Sequence, residues 1–194
     1  TPTQSRSYEI SSLLQPIRNA KGKLENGPPE LLNGIFGMVK IAKNPRTARL
    51  GRGARMGEVT DGMSNTVMLG ELLTWNEANT TEDNTSGNDD WRGAWLVPGM
   101  GASTFSGLFP PNNTSNPDRI AACGSDIKQS ADYTLMPCEE FSGGAQHASL
   151  RSAHPGGVNA AMGDASVRYV GDEVDEAAWQ AVCTKAGAEA NFAL

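Results

Sequence analysis

Two residues in SAHPGGVNAAMGDASVRYV (152–170) are of types that could do chemistry together: His154, one of two histidines in the 194-residue chain, and Asp164. An imidazole and a carboxylate act as an acid–base pair when they lie about 3 Å apart. The letters between them argue otherwise. VNAAMG and SVRYVG read as two short strands around Asp164-Ala165, which puts Asp164 at the turn and His154 ahead of the first strand. Six residues at about 3.3 Å each leave roughly 20 Å between them. The spacing predicts a scaffold rather than a dyad.

The remaining candidates for chemistry are weaker. His147 precedes His154 by a spacing that matches no zinc or hydrolase signature. There is no GxSxG elbow, no HExxH and no phosphate-cradling loop. Ser64 follows Asp61-Gly62 with no histidine close by in sequence, so it reads as turn chemistry. EDNTSGNDD (82–90) gathers Asp83, Asn84, Asn88, Asp89 and Asp90 around Gly87. Hard oxygen ligands on a loop suit calcium, the one ion for which the sequence offers ligands, although the EF-hand pattern is absent and a solvated acidic loop explains the same letters. Trp91 and Trp95, with Trp75, could stack on a sugar ring or simply fill a core.

Three cysteines stand at 123, 138 and 183, with no CxxC. Cys123 and Cys138 flank a polar loop, and a bridge between them would suit an oxidising compartment and contribute about 3 kcal/mol. Cys183 is left free and buried. The sequons at Asn79, Asn84, Asn112 and Asn113 mark exposed loops.

These residues need elements to position them. VTDGMSNTVMLGELL (59–73) opens with the turn pair Asp61-Gly62, and TVMLGELL suits a strand buried on both faces. NGIFGMVKIA (33–42) and WRGAWLVPG (91–99) read as extended segments, while 76–90 and 99–118 are polar loops. Residues 1–34 look weakly helical and broken by Pro16, Gly22, Gly27 and Pro28-Pro29. Residues 119–150 show little periodicity. In the last hairpin a two-residue loop would set Met162 against Val167 and Ala160 against Tyr169. Val158, Ala160, Met162, Val167 and Tyr169 would then share one face. A helix follows. Asp175 is its N-cap and Val174 staples to Trp179, while Trp179, Val182, Cys183 and Ala186 recur at helical spacing and Gly187 ends it.

Composition sets the outer limits. Val, Ile, Leu and Phe total only 34 of 194 residues, so the core must use small side chains. A net charge of −6 speaks against a nucleic-acid groove, which selects clustered Lys and Arg. The one basic cluster, KNPRTARLGRGAR (43–55), lacks aromatics and reads as a solvated loop. No run of about 20 apolar residues could span a membrane.

Three stretches together resemble one family: TDGMSNTVMLGE (60–71), SLRSAHPGGVNAAMGDASVRYVGDEVDEAAW (149–179) and TKAGAE (184–189). They are similar to the prepilin-like secreted proteins expanded in planctomycete-type bacteria, whose C-terminal signature is a histidine, nine residues, then Asp-Gly. His154 and Asp164 fit that spacing, with Ala165 standing where the signature has glycine. Gly156, Gly157 and Asn159 fall inside the signature, and Asp61, Gly62, Ser64, Asn65, Thr66, Gly70 and Glu71 fit the upstream motif. The family's prepilin cleavage site and long apolar helix are not among these residues. The resemblance therefore implies a pilin-like globular head lacking its N-terminal helix, with membrane contact only through that helix.

The expectation is a single α+β domain over 1–194, mainly antiparallel sheet with long polar loops and a C-terminal helix. Residues 1–57 form a weakly ordered lead-in, and 58–73 and 149–189 carry the motifs. The resemblance implies a non-enzymatic, exported structural protein of pilin or pseudopilin type, outside the cell, on its surface or in the periplasm. It would assemble with itself or with other subunits of a surface or secretion assembly. The other reading is an extracytoplasmic glycan- or solute-binding module using Trp91, Trp95 and the two polar loops.

Overall fold

The structure is a computed structural model, and it describes residues 6–11, 17–18, 24–25, 34–35, 54–74, 90, 92–94, 99–121, 123, 134–140 and 146–186. Among the described residues there are nine strands and one α-helix: β1 (Arg6–Ser11), β2 (Ile17–Arg18), β3 (Leu24–Glu25), β4 (Val67–Leu73), β5 (Thr104–Phe105), β6 (Asp118–Ile120), β7 (Cys138–Glu140), β8 (Gly157–Met162), β9 (Val167–Gly171) and α1 (Glu176–Val182). The principal sheet has the order β5-β1-β4-β8-β9. Every neighbouring pair in it is antiparallel except β1 with β5. β2 pairs with β3, and β6 with β7, in two small separate sheets. The architecture is α+β and mainly antiparallel.

The central strand β4 is the segment read as buried on both faces, and its last four residues, Gly70 to Leu73, are all buried. Gly70 lets Leu150 approach, since a Cβ there would overlap the Leu150 side chain. The main core joins Val67, Leu72, Phe105, Leu150, Val158, Met162, Val170 and Trp179. A second cluster gathers Leu73, Met100, Ile120, Met136 and Ala148 about the disulfide Cys123–Cys138, whose Cα atoms are 5.9 Å apart. Cys183 is free and buried, and burial pushes its thiol well above the ordinary range.

The last hairpin forms, but with a different loop. Gly163, Asp164 and Ala165 make a three-residue connection in which Ala165 N–H donates to Met162 O (3.0 Å) and Met162 N–H to Ser166 O (2.8 Å). Ala165 takes φ 68°, the left-handed position where a bulge of this kind prefers glycine. The added residue shifts the register, so Ala161 faces Val167 and Asn159 faces Tyr169. A one-residue slip turns a strand over. Val158, Ala160 and Met162 are buried as expected, yet Val170 joins them, while Val167 and Tyr169 are 67% and 52% exposed.

The helix is also shorter than its periodicity suggested. Asp175 caps it by accepting from Ala178 N–H at 2.9 Å, and Val174 packs on the cluster that holds the fully buried Trp179. It stops at Val182, with Cys183 as its C-cap; the Thr184 hydroxyl then donates to Ala181 O, so a side chain takes the place of the next turn. Ala186 is exposed beyond the end, and Gly187 lies outside the described residues.

Two other expectations change. The lead-in holds strands rather than broken helix, since β1 sits between β4 and β5 in the main sheet. RSYEIS alternates residue types at period two, which a neighbouring strand selects over any weak helical tendency. Arg92 and Gly93 form a turn where a strand was read, with Gly93 at φ 74°. In 33–42, which opens with the Asn33-Gly34 turn signal, the described pair Gly34-Ile35 is a buried bend, and 36–42 lie outside the described residues.

Candidate functional site

The motif residues meet at the two ends of the β4–β8 pair. At one end, Glu71 leaves β4 and is 2% exposed. Its Oε2 accepts from Asn159 N–H on β8 (2.9 Å) and its Oε1 from the Asn159 amide (3.2 Å). Register explains why a side chain is needed there. Hydrogen bonding to β8 has shifted between Val67 and Leu69, and Glu71 itself is not paired with β8, so the Asn159 N–H turns to the carboxylate. His154 Nε2 lies 3.4 Å from Oε1 of the same carboxylate, with its side chain about one-third exposed.

The chain is bent to bring the imidazole there. Gly156 takes φ 78°, the Tyr169 hydroxyl donates to Pro155 O, and a Cβ on Gly157 would run into Val170 O. His154 N–H donates to Ser152 Oγ (3.1 Å), and Ser152 N–H to Asn112 Oδ1 (2.8 Å). Asn112 also donates from its amide to Asp172 (2.7 Å), so this sequon asparagine is a cross-link between segments, not an exposed loop residue. Burial pushes the Glu71 carboxyl up. Hydrogen bonds from the Asn159 backbone and side chain and from Ser152, with the His154 charge, outweigh that and hold it below the ordinary range.

At the other end the turn motif and the signature hold each other. Gly163 N–H donates to Thr66 O (2.8 Å) and Asp164 N–H to Met63 O (3.1 Å). Asn65 donates to Asp61 O and Thr66 Oγ1 to Gly62 O, fixing the Asp61-Gly62 turn from within. The Thr184 hydroxyl reaches Asp61 Oδ2 at 3.5 Å, so the third motif stretch closes on the first. Asp164 accepts from the Ser166 hydroxyl (2.6 Å) and amide (2.9 Å), which hold its exposed carboxyl below the ordinary range. Ser64 is exposed on its turn.

His154 and Asp164 thus belong to opposite ends of β8, and the carboxylate at His154 is Glu71. The pair has the composition of an acid–base dyad, but Glu71 spends both oxygens on Asn159, and the nearest hydroxyl, Ser152, is 4% exposed. What the geometry does directly is tie β4 to β8 and to the segment ahead of it.

A second constellation was not singled out in the sequence. Asp118 on β6 is buried between two arginines: Arg151 Nε donates to its Oδ2 (2.7 Å) and Nη2 to its Oδ1 (2.8 Å), while Arg92 Nη1 lies 3.4 Å from Oδ2. Arg92 in turn grips Asp90, with Nη2 2.6 Å from Oδ2 and Nε 2.9 Å from Oδ1. The Met136 carbonyl accepts from Arg92 Nη1 and the Leu135 carbonyl from Arg151 Nη1. Asp90, one of the five calcium candidates, is therefore a buried partner of Arg92; Asp83, Asn84, Asn88 and Asp89 lie outside the described residues, as do Trp75, Trp91, Trp95, Asn79 and the 43–53 loop. His147 is buried nearby, with Nε2 3.0 Å from Pro117 O and its ring edge-on to Phe109. Burial holds its imidazole below the ordinary value, against the opposing pull of Pro117 O.

Among the described residues, no group of three or more His, Cys, Asp or Glu could hold a metal ion. No described helix is long and apolar enough to cross a membrane.

The fold is α+β, and residues of the 60–71 and 149–179 stretches lock a central strand to the final hairpin. The chain belongs to the family described as "Protein of unknown function (DUF1559)", short name SBP_bac_10, whose model matches residues 16–177. No curated protein and no solved structure matches it.

Proposed function

We propose that the protein is a non-enzymatic, exported structural protein of pilin or pseudopilin type, working outside the cytoplasm as a subunit of a larger assembly. The observation that carries this reading is the use of the motif residues. Asp61, Gly62, Thr66, Glu71, Asn159 and Asp164 bond to one another or to the backbone beside them, so the shared residues are consumed in holding the head together. The Cys123–Cys138 bridge supports export, because such bonds persist in oxidising compartments. The His-(nine residues)-Asp signature, with alanine for its glycine, supports the prepilin-like assignment.

Fractionation of the producing cells tests it. The protein is expected in the envelope or external fraction, with Cys123 and Cys138 oxidised, in a complex larger than the monomer. A reduced, monomeric cytoplasmic protein contradicts the reading.

A further inference from the structure

We propose that β9 is the self-association edge of the protein, pairing antiparallel with β9 of a second copy. The inference rests on the assembly reading above and names the surface and the partner.

Among the described residues, β9 is a terminal strand of the main sheet. Asp172 N–H donates to Gly156 O (2.9 Å), which fixes Gly156/Asp172 as a hydrogen-bonded pair. By alternation Arg168 and Val170 also face β8, and the backbone groups of Val167, Tyr169 and Gly171 point away from it. That outer edge is a template for another strand. The opposite edge of the sheet is kept short by the two-residue β5, whereas β9 is five residues long and its VRYVG carries no proline, lysine or bulge. Its solvent face holds Val167 and Tyr169, two of the four exposed large apolar side chains among the described residues.

The sequence of the edge is complementary to itself. When Tyr169 is set opposite Gly171 of the second copy, the outward N–H and C=O of each meet a partner, the Gly171 carbonyl sharing itself with Val174 N–H of its own chain (3.2 Å). The Tyr169 ring stays over Gly157 of its own chain, and Gly171 leaves the space beside it open to the second copy, the nearest atom to an added Cβ being Gly156 O at 3.8 Å. The same register sets Arg168 opposite Asp172 of the second copy, twice by symmetry, at the closer type of cross-strand position. Within its own chain Asp172 Oδ1 accepts from the Asn112 amide (2.7 Å). A second copy of this chain therefore fits the edge by hydrogen-bond parity and by charge.

The test is sedimentation velocity over a wide concentration range, with amide hydrogen exchange, on the full chain, Arg168→Glu and Val167→Lys. Both substitutions are on partly or fully exposed side chains, and unchanged thermal melting confirms that each variant folds. The wild type is expected to dimerise with slowed exchange at Tyr169 and Gly171. Arg168→Glu should weaken the dimer about tenfold or more by placing like charges opposite, and Val167→Lys should also weaken it. Dimers that persist unchanged in both variants overturn edge pairing while leaving assembly through another face standing. A wild type monomeric throughout, or slow edge amides in a monomer (its own chain covering the strand), overturns edge pairing too; cell fractionation then decides the assembly reading separately.

Discussion

The imidazole of His154 meets the carboxylate of Glu71, Nε2 to Oε1 at 3.4 Å, although Asp164 is the acid its own segment offers. Because Asn159 draws on both oxygens of Glu71, one buried side chain joins β4, β8 and the bend at Pro155-Gly156. That relationship makes the clasp sensitive to acid.

A carboxyl held below its ordinary value of 4.5 in the folded state gives stability that is fully present above that value and lost as pH falls through the folded value. Thermal melting should therefore drop on acidification below about pH 4.5, and Glu71→Gln should flatten that part of the curve. Parallel curves for wild type and variant would show that Glu71 titrates unperturbed.

Ala165→Gly should stabilise the protein. Alanine at φ 68° carries a left-handed strain of about 1–2 kcal/mol, partly offset by the extra freedom glycine has in the unfolded chain. The expected gain is about 1 kcal/mol in urea unfolding; a loss would mean that the loop is not the three-residue form.

Asp118→Ala should cost about 3–5 kcal/mol, because it leaves Arg151 and one side of Arg92 buried without their carboxylate. Equilibrium unfolding measures it, and a cost under about 1 kcal/mol would place Asp118 at the surface.

How much of this was legible in sequence depended on how local the determinants are. β4, the β8–β9 hairpin, the Asp175 cap and the packing of Val174 on the core cluster that holds Trp179 rest on neighbours a few residues apart, and the letters carried them. The hairpin face was misread because one left-handed residue decides it, and alanine gives no warning of that conformation. Glu71 was visible as a motif member, but its role needs the β4–β8 register, a long-range fact. Arg151 and Asp118 carry no sequence mark at all, since charged residues are usually exposed and only the fold shows that these two are buried together. The nearest hint was Arg151 lying inside the 149–179 motif stretch.

His147 gives a second pH signature. Its folded value lies below 6.5, so on acidification from 6.5 the unfolded chain takes up a proton that the folded chain refuses, and stability falls until the folded value is reached. Proton NMR should show the His147 imidazole titrating below 6.5. A midpoint at or above 6.5 would place the ring in solvent.

The central claim is that His154 and Glu71 clamp the fold. A double-mutant cycle of His154→Ala and Glu71→Gln in urea tests it most directly. Each variant should be less stable than wild type, with a coupling of about 0.5–1 kcal/mol between them. Variants as stable as the wild type, with no coupling, would contradict the claim.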